Sequence, residues 1–115
     1  MSSVLLAEDE FLIRAVLVDA LEALGIACIE AGTGQEALDV LAGQAPLAAV
    51  IVDLGLPDMP GQAVIEAARR DRPALPIICC SGSGAAAAPP GIHVFPKPYS
   101  AGDLSKFVAS LVGKA

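Results

Sequence analysis

The chain has 115 residues, of which 55 % are apolar and 3 % aromatic, and its formal net charge is −6. This length favours a single domain over residues 1–115, with a core of Ala, Val, Leu and Ile. The negative charge argues against nucleic acid as a partner. Apolar runs are far shorter than the roughly 18 residues that span a membrane. The start of the chain reaches acidic residues after a short apolar run, unlike a signal peptide. We therefore expect a cytoplasmic protein without a membrane partner.

The first segments of the chain alternate between strand and helix patterns. Residues 3–7 (SVLLA) form a short apolar run that is typical of a buried strand. Apolar residues then recur at helical spacing over 10–24, and Gly25 is the residue type that commonly follows a last helical turn. Residues 26–30 form a second predicted strand. The chain thus begins with a strand, a helix and a strand.

The middle of the chain continues this alternation. Thr33 and Glu36 match a capping box, which predicts a helix from there to about Ala42. Residues 47–52 (LAAVIV) are continuously apolar, as expected of a central strand in a parallel sheet. A third helix is predicted over 61–70 and a fourth strand over 77–80.

The stretch after Ser81 interrupts the alternation of strands and helices. Its sequence, GSGAAAAPPG, leaves room for about one helical turn before two prolines, so a fourth helix there is short or irregular. A fifth strand follows over 92–95, and a second capping box at Ser100 opens a last helix to about Val112. Strands that alternate with helices predict an α/β fold with a doubly wound parallel sheet.

Residues suited to chemistry follow four of the five predicted strands. They are Glu8 and Asp9, Asp53, Ser81 and Lys97. The C-terminal ends of parallel strands open on one edge of the sheet, where α/β proteins bind ligands. A lone Asp after a strand is as often a helix cap, but Pro57 blocks helix formation soon after Asp53. Carboxylates gathered at one edge repel each other, and a hard cation such as Mg²⁺ relieves that repulsion.

Four segments resemble the receiver domain of two-component response regulators. They are Glu8-Asp9, the stretch DLGLPDMPG that begins at Asp53, Ser81-Gly82, and Lys97-Pro98-Tyr99. The resemblance covers essentially the whole chain, and each segment lies at a strand end. It implies a flavodoxin-like doubly wound sheet of five parallel strands in the order 2-1-3-4-5. It also implies a phosphoprotein that takes part in phosphorelay signal transduction.

The resemblance implies roles for the acidic residues. Asp53 would accept a phosphoryl group from a phosphohistidine on a sensor histidine kinase or a histidine phosphotransfer protein. Asp9 and Asp53, with the backbone carbonyl of Gly55, would bind Mg²⁺ directly, and Glu8 would act through a metal-bound water. The domain would catalyse its own phosphorylation and dephosphorylation and would otherwise not be an enzyme.

The remaining implied roles concern phosphoryl binding and output to an unknown downstream protein. Ser81 would donate a hydrogen bond to one phosphoryl oxygen, and Lys97 would pair with another. Many receivers carry Phe or Tyr three residues before the lysine, where this chain has Val94. Phe95 is adjacent, but strand alternation predicts that it points to the opposite face. His93 is expected to be a surface residue.

Other functions fit parts of the same pattern. A receiver could serve as a docking module that works without phosphorylation, although the complete site favours regulation. The chain could also be the receiver of a hybrid kinase or of a larger regulator. A small phosphatase with an aspartyl nucleophile would need a second Asp two residues after Asp53, where Gly55 stands. The three cysteines, an odd number in apolar surroundings, are predicted to be buried free thiols.

Overall fold

The computed structural model describes residues 2–81, 92–97 and 99–113, apart from the side chain of Ser81. Its strands are β1 Ser3–Ala7, β2 Cys28–Ala31, β3 Leu47–Asp53, β4 Ile77–Ser81 and β5 His93–Pro96. The helices in these ranges are α1 Phe11–Ala23, α2 Gly34–Ala42, α3 Gly61–Asp71 and α4 Ala101–Leu111. The short or irregular helix predicted after Ser81 falls on residues outside this description.

The five strands form one parallel sheet in the order β2-β1-β3-β4-β5. This is the order of the flavodoxin-like doubly wound fold, so the predicted fold class is confirmed. Because all strands run the same way, the C-terminal ends of β1, β3, β4 and β5 lie along one edge. None of the helices in the described ranges has both the length and the apolar character needed to cross a membrane.

Two apolar layers cover the two faces of the sheet, and strand alternation divides the side chains between them. On β1, Leu5 and Ala7 pack with α2 and α3, whereas Val4 and Leu6 pack with α1 and α4. Adjacent cysteines on β4 follow the same rule, because Cys79 belongs to the first layer and Cys80 to the second. Both are buried and free, as predicted, while the free Cys28 is half-buried.

The second strand begins two residues later than the sequence pattern predicts. The Ile26 amide donates to the Leu21 carbonyl oxygen at 3.0 Å, and Gly25, with φ of 79°, donates to the Glu22 carbonyl oxygen at 2.9 Å. These bonds close the end of α1 as a glycine-based cap. The apolar side chain of Ile26 is therefore buried as part of the helix end and does not belong to the strand.

Candidate functional site

Three carboxylates meet at the C-terminal ends of β1 and β3. Asp53 is the last residue of β3, and Glu8 and Asp9 follow β1 directly. The two strands pair in the sheet, and one carboxylate oxygen from each of the three residues lies within 4.8 Å of the others. Glu8 and Asp53 are buried, at 2 % and 6 % exposure, whereas Asp9 is exposed. The cluster is thus open to solvent through Asp9.

Lys97 brings a positive charge to this cluster from the end of β5. Its Nζ lies 3.0 Å from Oδ1 of Asp53. The Gly55 amide donates to the same oxygen at 3.1 Å. Burial alone would lower the pKa of Lys97, but the hydrogen bond and charge of Asp53 raise it overall, so the ammonium keeps its proton. Asp53 is therefore held by a cation and a backbone amide at one oxygen.

Glu8 is the most deeply buried acid of the site. Burial raises its pKa to about 7, and the neighbouring Asp53 carboxylate adds to the increase. A hydrogen bond from the Glu10 amide to Oε2, at 3.1 Å, partly opposes it. Near neutral pH Glu8 is therefore only partly ionised.

Arg14 of α1 is a residue near the site that the sequence patterns do not reveal. Its Nη1 donates to the Glu8 carbonyl oxygen at 2.8 Å, and its Nε pairs with Oε1 of Glu30 at 3.0 Å. These contacts tie α1 to the ends of β1 and β2. The available signal was that Arg14 is the one cation in a helical segment, 10–24, whose other charged residues are acidic.

The connection from β3 to α3 turns back tightly over Asp53. A Cβ atom at Gly61 would lie 2.6 Å from the Leu54 Cα and 2.8 Å from the Asp53 carbonyl oxygen, so only glycine permits this approach. The Gly61 amide donates to the Leu54 carbonyl oxygen at 3.3 Å. Gly55, the predicted carbonyl ligand, lies exposed on this connection beside Asp53.

Two further predictions concern β4 and β5. The backbone of Ser81 ends β4 opposite Pro96 of β5, while its side chain lies outside the description. Phe95 packs in the α1–α4 layer, with its ring centroid 5.6 Å from that of Phe107, as strand alternation predicts. His93 is exposed, also as predicted, and its ring centroid lies 5.4 Å from that of Phe107.

Residues 4–107 match the sequence profile of the response regulator receiver domain family. The chain belongs to this family. It is therefore a receiver domain of two-component signalling, as its resemblance implied. The structure brings together four of the predicted site residues, with Glu8, Asp9 and Lys97 around the carboxylate of Asp53.

Curated relatives include receivers that are parts of longer proteins. The transcriptional regulatory protein PmrA of Pectobacterium parmentieri is 42 % identical over 74 residues, which cover 64 % of this chain and 33 % of that protein. The sensor kinase CckA of Brucella abortus (strain 2308) is 31 % identical over an alignment 122 residues long, which covers 98 % of this chain and 13 % of that protein. The chain thus spans a third or less of either relative.

A solved structure supports the same membership. The response regulator receiver protein from Sinorhizobium medicae WSM419 superimposes with a TM-score of 0.85 at 25 % sequence identity. The match covers 97 % of this receiver domain and 94 % of that chain. The similarity extends over essentially the whole sheet and its helices.

Proposed function

We propose that Asp53 accepts a phosphoryl group from a phosphohistidine on a sensor histidine kinase or a histidine phosphotransfer protein, with Mg²⁺ as cofactor. The observation that carries this proposal is the 3.0 Å pair between Lys97 Nζ and Asp53 Oδ1, beside two further carboxylates. Phosphoryl transfer depends mainly on positioning and on neutralising charge. A buried carboxylate with a fixed ammonium and a cation-binding cluster beside it supplies both.

The donor set of the acidic cluster fits Mg²⁺. All three side chains offer oxygen atoms within 4.8 Å of one another, and hard divalent cations prefer oxygen ligands. Asp9 and Asp53 would bind the ion directly with the backbone carbonyl of Gly55, and Glu8 would act through a water molecule. When bound, the ion supplies positive charge that offsets the carboxylates and the phosphoryl oxygens.

The residues of the chain account for the transfer itself. A carboxylate oxygen of Asp53 attacks phosphorus, the P–N bond to the donor histidine breaks, and the imidazole leaves with the electron pair. Lys97 then pairs with a phosphoryl oxygen, and the Ser81 hydroxyl donates to another. Attack by water on the acyl phosphate releases inorganic phosphate and restores the Asp53 carboxylate. The domain therefore catalyses its own phosphorylation and dephosphorylation, and no other reaction is proposed.

An apolar surface beside the site supports a protein as the phosphoryl donor. Phe11, Leu12 and Val16 of α1 are 67 %, 76 % and 56 % exposed, and the helix begins two residues after Asp9. Leu12 and Val16 lie one helical turn apart, and exposed apolar side chains that adjoin on a surface commonly mark an interaction site. A donor protein that contacts this surface would bring its phosphohistidine close to Asp53.

We further propose that phosphorylation changes the binding of a downstream protein in the cytoplasm, without contact to nucleic acid or to a membrane. The net charge of −6 disfavours both polyanionic nucleic acid and anionic lipid. A second candidate is a receiver within a hybrid kinase or a larger regulator. It is favoured by the two curated relatives, of which this chain spans 33 % and 13 %.

Transfer from a phosphohistidine protein tests the proposal. A phosphotransfer protein labelled on histidine is mixed with wild-type chain, with Asp53→Asn, and with Asp103→Asn as a control in the exposed first turn of α4. Label should move to the wild type and to the control only when Mg²⁺ is present, and Asp53→Asn should stay unlabelled. Transfer that is equally fast with a chelator would contradict the metal requirement. A downstream protein that binds phosphorylated wild type and Asp53→Asn equally well would instead favour a docking module that works without phosphorylation.

A further inference from the structure

Asp58 connects the loop after the phosphoryl-accepting strand to the start of α2. It lies on the β3–α3 connection, 24 residues from Gly34 along the chain. Its Oδ1 accepts from the Gly34 amide at 2.8 Å, and its Oδ2 accepts from the Gln35 amide at 2.9 Å. The first two amides of α2 have no partner within the helix. Asp58 supplies that partner from another part of the fold.

Thr33 completes the same helix end in a different way. Its Oγ1 accepts from the Glu36 amide at 3.1 Å, and Oε1 of Glu36 accepts from the Gly32 amide at 2.7 Å. These bonds form a variant of the capping box, with the return bond to the residue before the N-cap, and they lie entirely within residues 32–36. Thr33 therefore stabilises only the start of α2. Asp58 stabilises the start of α2 and also fixes the β3–α3 connection, of which it is a part.

Packing supports the contact between loop and helix. The side chain of Met59 lies so close to Gly34 that a Cβ atom at residue 34 would collide with its Cγ and Sδ atoms. Met59 also packs against the apolar layer of α2 and α3. Glycine at 34 thus lets the loop approach the helix end closely enough for Asp58 to reach both amides.

The same loop carries Gly55, and the structure fixes it on both sides. The Leu54 amide donates to the Cys80 carbonyl oxygen at 3.2 Å, and the Gly61 amide returns to the Leu54 carbonyl oxygen at 3.3 Å. Gly55 itself donates to Asp53 at 3.1 Å. Between Gly55 and Gly61, Asp58 makes the hydrogen bonds that hold the loop to the neighbouring helix.

We propose that Asp58 is a positioning residue for the metal site, which holds the β3–α3 connection against α2 and so keeps Gly55 in place to offer its carbonyl oxygen to the cation. This inference rests on the proposed function. Asp58 is not proposed as a metal ligand, because both of its oxygens accept from backbone amides. Those two bonds also lower the pKa of Asp58, so its carboxylate stays ionised near neutral pH.

Two measurements on Asp58→Ala, Asp58→Asn and Thr33→Ala test the proposal. Amide hydrogen exchange at Gly55 is followed in metal-free protein, and the Kd for Mg²⁺ is measured by calorimetry at a temperature where every variant is folded. Asp58→Ala should exchange faster at Gly55 and should raise the Kd by about tenfold, as residues that orient metal ligands commonly do. Asp58→Asn keeps one carbonyl acceptor and should fall between Asp58→Ala and the wild type.

Thr33→Ala is the matched control, because it removes a hydrogen bond from the same helix end without touching the loop. It should leave both the exchange at Gly55 and the Kd close to wild-type values. Equal effects of Thr33→Ala and Asp58→Ala, or wild-type exchange in Asp58→Ala, would overturn the positioning role. Wild-type protein that binds no Mg²⁺ would instead overturn the proposed function, while the exchange at Gly55 would still decide whether Asp58 fixes the loop.

Discussion

Lys97 and three carboxylates set the charge at the site. Within the part of the chain that the structure describes, Lys97 is the residue whose ammonium contacts Asp53, at 3.0 Å. Glu8 and Asp9 add two acids within 4.8 Å of Asp53, so the site has an excess of acidic groups. A phosphoryl group brought to Asp53 adds further negative charge, and Lys97 is placed to offset it.

Replacing Lys97 by Met should therefore impair phosphoryl uptake. Met keeps most of the apolar stem of the side chain and removes its charge, so the loss reports mainly on electrostatics. We expect the initial rate with a small phosphodonor at saturating Mg²⁺ to fall by about a hundredfold, as when one charge-stabilising donor is deleted from an active site. Lys106→Met, at an exposed position of α4, is the control and should react like the wild type. Equal rates for the two variants would contradict the role of Lys97.

The sequence reveals some of these residues and not others for a physical reason. Glu8, Asp9, Asp53 and Lys97 could be predicted as neighbours because the ends of parallel strands meet at one edge of the sheet. Arg14 and Asp58 could not, because they bind the Glu8 carbonyl and the amides of Gly34 and Gln35. Every residue has such backbone groups, so no pattern of side chains predicts which of them Arg14 and Asp58 bind.

At the scale of elements, Arg72 joins the end of α3 to the connection between α2 and β3. Its guanidinium donates to three carbonyl oxygens, those of Leu41 at 3.3 Å, Ala45 at 2.7 Å and Gly43 at 3.0 Å. The last carbonyls of a helix have no intrahelical partner, and Arg72 supplies one for Leu41 at the end of α2. The residue thus links the end of α3 to the end of α2, the two helices that cover the same face of the sheet.

Truncating Arg72 should destabilise the fold. Arg72→Ala removes three hydrogen bonds from a charged donor, and we expect the free energy of unfolding to fall by about 2 kcal/mol. Arg70→Ala is the control, because exposed Arg70 pairs only with its sequence neighbour Asp71 in the contacts that the structure describes. It should leave the free energy of unfolding essentially unchanged. Urea titrations in which both variants lose the same stability would show that the carbonyl contacts contribute little.

The start of β2 shows that hydrophobic periodicity does not always predict where an element begins. Residues 26–30 read as a strand, yet the Ile26 amide returns to α1 and β2 starts at Cys28. An apolar residue that closes a helix and an apolar residue that begins a strand look the same in sequence. The starts of α2 and α4 agree with those predicted from Thr33 and Ser100, because a capping hydrogen bond is made between residues close in sequence.

At the scale of the whole molecule, the parallel sheet gathers acids that come from distant parts of the chain and buries two of them. The sheet order places β3 between β1 and β4, so Asp53 lies at the centre of the edge. Glu8 is almost fully buried there, and burial raises its pKa to about 7. A folded state that prefers protonated Glu8 gains stability at low pH and loses it as pH rises through about 7.

Mg²⁺ should therefore stabilise the protein more at high pH than at low pH. A cation that binds only the folded state stabilises that state, by an amount that grows with the logarithm of the cation concentration relative to its Kd. Protons compete with the cation for the same carboxylates. We expect several millimolar Mg²⁺ to raise the Tm more at about pH 8 than at about pH 5.5. Glu8→Gln removes the competing proton and should weaken this pH dependence. A Tm that Mg²⁺ leaves unchanged at the higher pH would count against the metal site.

Intact-mass spectrometry can show directly whether Asp53 accepts a phosphoryl group. Wild-type chain and Asp53→Asn are incubated with phosphoramidate, a small donor that has the same P–N bond as phosphohistidine, and with Mg²⁺. The wild type should gain the mass of one phosphoryl group, and Asp53→Asn should gain none. Equal labelling of the two proteins would contradict the assignment of Asp53 as the phosphoryl acceptor.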